Sequence, residues 1–329
     1  MKRVLVIRGG AIGDFILTLP ALKALRDAWP NAHVEILGYK HIAALAENRF
    51  YAQAVRSIEY GALASFFARD ADLPADLAKY FASFDLILNY LYDPDEIFRN
   101  NLRRCEVKRL IPGPGRMDNS EHAARQLARP IEEIGITVID LAERVFPSTD
   151  DRQFAREFLR DLPQPIVAIH PGSGSEKKNW PIEKWTQLLE SLDASSTSKA
   201  ATCRPTPKLP LIIISGEGDE KQIERLQDKF ETALFAKNLP LTQLAAILEN
   251  AIYIGHDSGI SHLAAAAGAH CVLLFGPTDP KIWAPLNENA RVLRAPDHDL
   301  QKLDVDAVRQ TILSAIQDSQ AGSPAPLSR

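Results

Sequence analysis

The chain has 329 residues, with 42 acidic against 38 basic side chains and a formal net charge of −4. That length exceeds one ordinary core and predicts two domains, and the mild negative charge excludes nucleic-acid binding driven by bulk electrostatics. Three cysteines (Cys105, Cys203, Cys271) without a C-x-x-C, and eight histidines without an H-x-x-x-H, give no basis for a disulfide framework, a zinc ribbon or a histidine metal site.

Residues 2–7 (KRVLVI) read as a buried strand, too short an apolar run for a secretory signal. No stretch approaches the ~20 apolar residues of a membrane span, so the expectation is a soluble, cytoplasmic protein. A glycine-rich loop, RGGAIGD at 8–14, follows. A helix then places Phe15, Leu19, Leu22, Leu25 and Trp29 on one stripe, with Pro20 restarting or kinking it. Further strands are expected at 34–37, 55–58, 85–91 and 107–111. Helices are expected at 41–46 and at 120–134 despite Pro130, with mixed helix and loop over 62–81 and a Pro/Gly turn region over 112–119.

The second half begins again, with a linking helix at 150–159, a strand at 166–170 and a helix at 183–192 opened by Pro181. Residues 193–210, rich in Ser, Thr, Ala, Pro and Lys, read as a flexible surface insertion. A strand at 211–215 and a helix at 243–249 capped by Thr242 come next. After a strand at 251–255, Asp257 and Ser258 open a helix that Gly268 closes. A strand at 271–275, a terminal amphipathic helix at 305–317 and a disordered tail over 319–329 complete the chain. This alternation predicts an α/β protein with doubly wound parallel sheets.

Three loops carry candidate chemistry, each at the carboxyl end of an expected strand, where open α/β sheets bind ligands. The first ends in Asp14. It fails the G-x-G-x-x-G spacing, because position 8 is Arg8, and Leu37-Gly38-Tyr39-Lys40 lacks the acidic residue that binds a ribose, so a dinucleotide cofactor is disfavoured. Asp14 itself is either a helix-start residue or a general base at a cleft edge. The second loop, HPGSGSEKKNWP at 170–181, offers hydroxyls, N–H groups, Lys177 and Lys178 to an anion, or is a solvated charged loop. The third, GHDSGISH at 255–262, places Asp257, Ser258, Gly259 and His262 around a helix N-terminus, the geometry of a phosphate site. Asp93-Pro94-Asp95 has a metal–diphosphate spacing but reads better as a turn. Arg99, Arg103, Arg104, Lys108, Arg109 and Arg116 form a basic cluster, either a solvated face or a seat for an acidic acceptor.

Four ordered blocks together resemble glycosyltransferase family 9, the ADP-heptose:lipopolysaccharide heptosyltransferases. They are V-L-V-I-R-x-x-x-x-G-D-x-x-x-T-x-P-A-L from Val4 to Leu22, H-P-G-S with K-x-W-P from His170 to Pro181, G-x-x-D-E from Gly216 to Glu220, and D-S-G-x-x-H-L-A-A-A-x-G with F-G-P-T-D-P-x-x-W-x-P from Asp257 to Pro285. The resemblance implies the GT-B fold, two Rossmann-like domains facing across a cleft. The corresponding boundaries are an acceptor-side domain over 1–149, a linker helix over 150–164, a donor domain over 165–303 and a helix over 304–318 returning to the first domain. It implies an inverting, metal-independent transfer with no cofactor, from a nucleotide-sugar donor to a lipid-linked or other glycan acceptor, in the cytoplasm with peripheral contact to the inner membrane left open. By resemblance Asp14 is the base and Lys178 stabilises the leaving phosphates. Ser173, Asp257, Ser258, Gly259 and His262 match donor positions, and Glu217 or Glu220 reaches the ribose. Gly13, Arg103 and Arg104 are the acceptor-side candidates.

The chain departs from the family pattern at Gly9-Gly10, at His256 before the D-S-G, at Ser258 in place of Thr, and at Ala269-His270. These departures leave the donor sugar open. A sugar-nucleotide epimerase of the same architecture, a non-catalytic nucleotide-sugar-binding module and a dehydrogenase are the rivals. An acceptor-free assay, dependence on Asp14 and the failed glycine spacing discriminate among them.

Overall fold

A computed structural model describes residues 2–195, 210–216 and 220–321. The chain divides into two compact units, Met1–Ser148 and Thr149–Arg329. Cys203, Glu217 and most of the expected insertion and tail lie outside the described residues.

The first unit runs β1 (Arg3–Arg8), α1 (Ile12–Ile16), α2 (Leu19–Ala28), β2 (His33–Gly38), α3 (Lys40–Ala43), β3 (Ala54–Ser57), α4 (Ala75–Ala82), β4 (Leu86–Asn89), α5 (Ile97–Arg104), β5 (Leu110–Pro112) and α6 (Ala123–Glu132). Its five strands are parallel, in the order β3-β2-β1-β4-β5. Val4, Leu5, Val6 and Ile7 are fully buried, as a central strand covered on both faces requires. The expected break near Pro20 falls between α1 and α2, with the proline in the first turn of α2, where its missing N–H costs nothing. Pro130 lies inside α6. Helix α5 is not apparent from the sequence, because it carries three arginines and buries only Phe98, Asn101 and Leu102.

The second unit runs α7 (Thr149–Leu159), β6 (Val167–His170), α8 (Ile182–Ser195), β7 (Leu211–Ser215), α9 (Glu220–Gln227), β8 (Leu234–Lys237), α10 (Leu241–Leu248), β9 (Ile252–His256), α11 (Gly259–Ala267), β10 (His270–Phe275), α12 (Pro280–Trp283), β11 (Ala290–Arg294) and α13 (Val305–Ala321). Its six parallel strands follow the order β11-β10-β9-β6-β7-β8. The core gathers Ile169, Trp185, Leu188, Ile213, Ile254 and Leu274. One expectation is corrected: Thr242 lies inside α10, whose N-cap is Pro240, so it caps nothing. In α13, Val308, Ile312 and Ala315 are buried in the second unit's core. Helix α7, expected as a linker, is part of the second unit and packs on α10.

Candidate functional site

Both sheets reverse their winding once. In the first unit the chain moves outward from β1 through β2 to β3, then returns to place β4 on the other side of β1. In the second it moves from β6 through β7 to β8, then places β9 on the other side of β6. At such a switch point the adjacent loops diverge and open a crevice at the carboxyl ends of the strands. The loop carrying Asp14 follows β1. The loops carrying Lys178 and Asp257 follow β6 and β9. Each unit thus has its own pair of switch-point strands.

In the first unit Arg8, the last residue of β1, is buried to 4 % exposure. Its guanidinium donates from Nη2 and Nε to the Asp14 carbonyl at 2.9 and 3.2 Å and from Nη1 to the Tyr90 carbonyl at 3.3 Å. It thereby ties the start of α1 to the chain just past β4. Burial pushes the Arg8 pKa down, and the neighbouring Asp14 carboxylate and Tyr90 oppose that shift. The Asp14 side chain is 36 % exposed, with Oδ1 3.5 Å from Arg8 Nη2 and Oδ2 accepting the Ala11 N–H at 3.0 Å. Thr18 Oγ1 donates to the same Asp14 carbonyl at 2.8 Å. Gly10 has φ +93, and a Cβ there would meet Asp14 Oδ2 at 2.8 Å. Asp14 is thus a carboxylate of fixed position with one face toward solvent. It serves as a helix-start acceptor, and nothing in that role prevents it from taking a proton as well.

In the second unit Lys178 Nζ meets Asp257 Oδ2 at 2.6 Å, with the two side chains 31 % and 10 % exposed. Ser258 caps α11, its Oγ accepting the Ser261 N–H at 3.4 Å. Gly268 ends the helix in the left-handed conformation, φ +94. His256 is fully buried; its Nε2 accepts the Trp180 N–H at 2.8 Å, and its Nδ1 lies 3.4 Å from the Gly172 carbonyl. Ser261 Oγ donates to the His256 carbonyl and meets Tyr253 Oη at 3.1 Å. A cation, a carboxylate and a helix N-terminus whose first-turn N–H groups have no intrahelical acceptor converge on one edge of the sheet. That combination is suited to a bound diphosphate, with the lysine as counter-ion.

Ser173 is partly buried, and its Oγ bonds the Ser175 carbonyl at 2.8 Å and Asn179 Oδ1 at 2.6 Å, so it shapes the Lys178 loop. Gly259 opens α11. His262 is 3 % exposed, so its ring belongs to the packed side of that helix. Glu217 lies outside the described residues, and Glu220 begins α9. Gly13 lies in α1, beside Asp14. Arg103 and Arg104 are in the last turn of α5, which runs back from the end of β4 to the start of β5. Arg103 Nη1 lies 3.8 Å from Oε2 of Glu96, the N-cap of α5, and Arg104 donates to the Ala71 carbonyl at 3.0 Å. Asp93 accepts the Phe98 and Arg99 N–H groups at 3.3 and 2.8 Å, so its carboxylate opens α5. Two participants, Arg8 and His256, do not stand out as site residues in the sequence. The only signal for Arg8 is a charged residue ending an otherwise apolar strand directly before a glycine-rich loop.

The family model described as glycosyltransferase family 9 (heptosyltransferase) matches residues 123–311. Lipopolysaccharide heptosyltransferase 1 of Escherichia coli O18:K1:H7 (strain RS218 / NMEC) is 30 % identical over 167 residues, covering 49 % of this chain and 48 % of that protein, so the chain spans about half the length of this relative. An E. coli lipopolysaccharide heptosyltransferase 3 is 24 % identical over 316 residues, covering 87 % of each chain. Among solved structures, a family 9 glycosyl transferase of Veillonella parvula DSM 2008 superposes with a TM-score of 0.78 at 18 % identity, covering 96 % of this chain and 97 % of that one. The E. coli heptosyltransferase WaaC with ADP superposes with a TM-score of 0.70 at 19 % identity, covering 95 % and 99 %. These likenesses agree with a fold of two Rossmann-like units.

Proposed function

Because the chain belongs to glycosyltransferase family 9, the heptosyltransferases, we propose that it is a glycosyltransferase of GT-B fold that moves heptose from ADP-heptose to a lipopolysaccharide-core-like acceptor. The observation that carries this reading is the meeting of Lys178, Asp257 and the α11 N-terminus at the β6/β9 switch point. The first unit supplies the counterpart, a carboxylate fixed at the β1/β4 switch point.

An acceptor hydroxyl attacks the anomeric carbon of the donor and gives its proton to Asp14. The bond between that carbon and the diphosphate oxygen breaks, and ADP leaves with the electron pair from the opposite face, so the configuration inverts. Lys178 and the N-terminus of α11 offset the charge that builds on the diphosphate. These groups supply that stabilisation without a metal ion. The Arg8 guanidinium serves orientation, holding the Asp14 carbonyl from Nη2 at 2.9 Å. Among the described residues no helix is long and apolar enough to cross a membrane, so a lipid-linked acceptor would be met at a membrane surface.

The test is transfer of heptose from ADP-heptose to a lipopolysaccharide-core acceptor in the presence of a chelator. Asp14→Ala should lower kcat by about 10²–10⁴-fold, the usual contribution of a general base, and leave ADP affinity unchanged. Near-full turnover by this variant would remove the base assignment. Conversion of the donor without any acceptor would replace transfer by epimerisation.

A further inference from the structure

We propose that His256 is a positioning residue that sets the geometry of the donor site through a single neutral tautomer; this rests on the donor-site reading above. The imidazole is at the end of β9, directly before Asp257, and is fully buried. Its Nε2 lies 2.8 Å from the Trp180 backbone N–H, a group that can only donate. Nε2 is therefore unprotonated, and the ring proton is on Nδ1, which faces the Gly172 carbonyl at 3.4 Å. The opposite tautomer would set N–H against N–H at Trp180 and an imidazole lone pair against the Gly172 oxygen. Imidazolium would do the former.

The partners explain why the tautomer matters. Gly172 directly precedes Ser173, and Trp180 is two residues past Lys178. Both ends of the loop that carries Lys178 are thus fastened to one ring, and that ring is joined by one peptide bond to Asp257. The Trp185 ring packs against the imidazole at 83° with centroids 5.5 Å apart, which restricts its rotation. The His256 carbonyl is held in turn by Ser261 Oγ from the first turn of α11. One side chain therefore sets the register between the Lys178 loop and the N-terminus of α11, and Lys178 reaches Asp257 at 2.6 Å within that register.

Two substitutions separate this role from simple packing. In His256→Gln the amide oxygen can accept from Trp180 and its NH₂ can donate to Gly172. In His256→Leu neither bond is possible at similar volume. ADP affinity is measured by calorimetry for the full chain, with Val308→Ala in α13 as a control for general loss of stability. His256→Leu should weaken ADP about tenfold or more, the factor that one unsatisfied buried amide is worth. His256→Gln and the control should stay within about threefold, each well under 1.4 kcal/mol. A long-range proton–nitrogen correlation spectrum of the wild-type protein should show His256 protonated on Nδ1 only, and the Trp180 amide should be strongly protected from hydrogen exchange.

ADP affinity in folded His256→Leu equal to wild type would overturn the proposal, as would a loss in His256→Gln as large as in His256→Leu. An Nε2-protonated ring would overturn it without any ligand. If the wild-type protein binds no nucleoside diphosphate while the tautomer and amide protection are as expected, the donor reading fails and the structural latch stands.

Discussion

Replacing Gly10 with alanine tests how the first site is built. The residue has φ +93, where an L side chain costs about 1–2 kcal/mol. The new Cβ would also lie 2.8 Å from Asp14 Oδ2 and 3.3 Å from both Asp14 Cβ and Cγ, so the carboxylate has to turn away. Turning away gives up the Ala11 N–H bond of 3.0 Å, which is exposed and worth about 0.5–1.5 kcal/mol. Alanine also restricts the unfolded chain, which returns about 0.4–1 kcal/mol. The net loss is about 0.5–3 kcal/mol, or a fall in Tm of about 1–12 °C for a unit of this size. The catalytic effect should be larger, because displacing a reacting group by about 1 Å costs on the order of 10²-fold in kcat. Asp14→Asn separates the two effects, since its amide oxygen keeps the Ala11 bond but cannot take a proton. Thermal unfolding and the heptose-transfer assay, run on both variants, give the answer. Gly10→Ala with wild-type kcat and wild-type Tm would refute the claim that this glycine fixes Asp14.

Other substitutions probe the remaining features. Lys178→Ala should weaken ADP by about 10–100-fold, the range of a lost charge-assisted phosphate contact of about 1.5–3 kcal/mol, as read by calorimetry; unchanged affinity would remove Lys178 from the site. Glu35 is a buried carboxylate that meets Arg3 at 3.1 Å, His33 at 2.9 Å and Tyr80 Oη at 3.0 Å, so Glu35→Gln should destabilise the first unit by about 1–3 kcal/mol in denaturant and leave ADP binding intact. His270 is held below its usual 6.5 by burial first and by Arg291 second, with Asp318 opposing. The unfolded chain then binds the extra proton first, so stability should fall as pH drops below about 6.5, and His270→Gln should flatten that slope in unfolding experiments.

The core of both units is legible in the sequence because central parallel strands write themselves as continuous apolar runs, as at Val4 to Ile7 and Cys271 to Phe275. Edge elements do not. Strand β11 reads ARVLR and is half exposed, and β8 is four residues long, so neither shows an apolar run. Helix α5 conceals its period behind arginines. At the sites, each loop is recognisable alone through its glycines and its helix-start residues. Which side chains meet is not. The Lys178–Asp257 pair joins residues 79 apart, and the His256 ring looks like a departure from a motif until its two partners are seen.

The wide sequence separation across β6 and β9 bears on how the second unit comes to be folded. Val167 pairs with Ile252 only after the chain has travelled out through β7 and β8 and back. Closing the loop from Val167 to Ile252 (252 − 167 = 85 residues) carries an entropy cost that grows as (3/2)RT ln n, about 4 kcal/mol before the constant. Nothing local offsets that cost in advance, because parallel strands cannot form hairpins. The β6/β9 contact is therefore a late event in a topology that folds slowly, and the Lys178–Asp257 pair is made with it. A chain that has gained helices but not this contact lacks the Lys178–Asp257 pair. On the donor-site reading proposed above, competence to hold nucleotide would itself report that the second unit has finished folding.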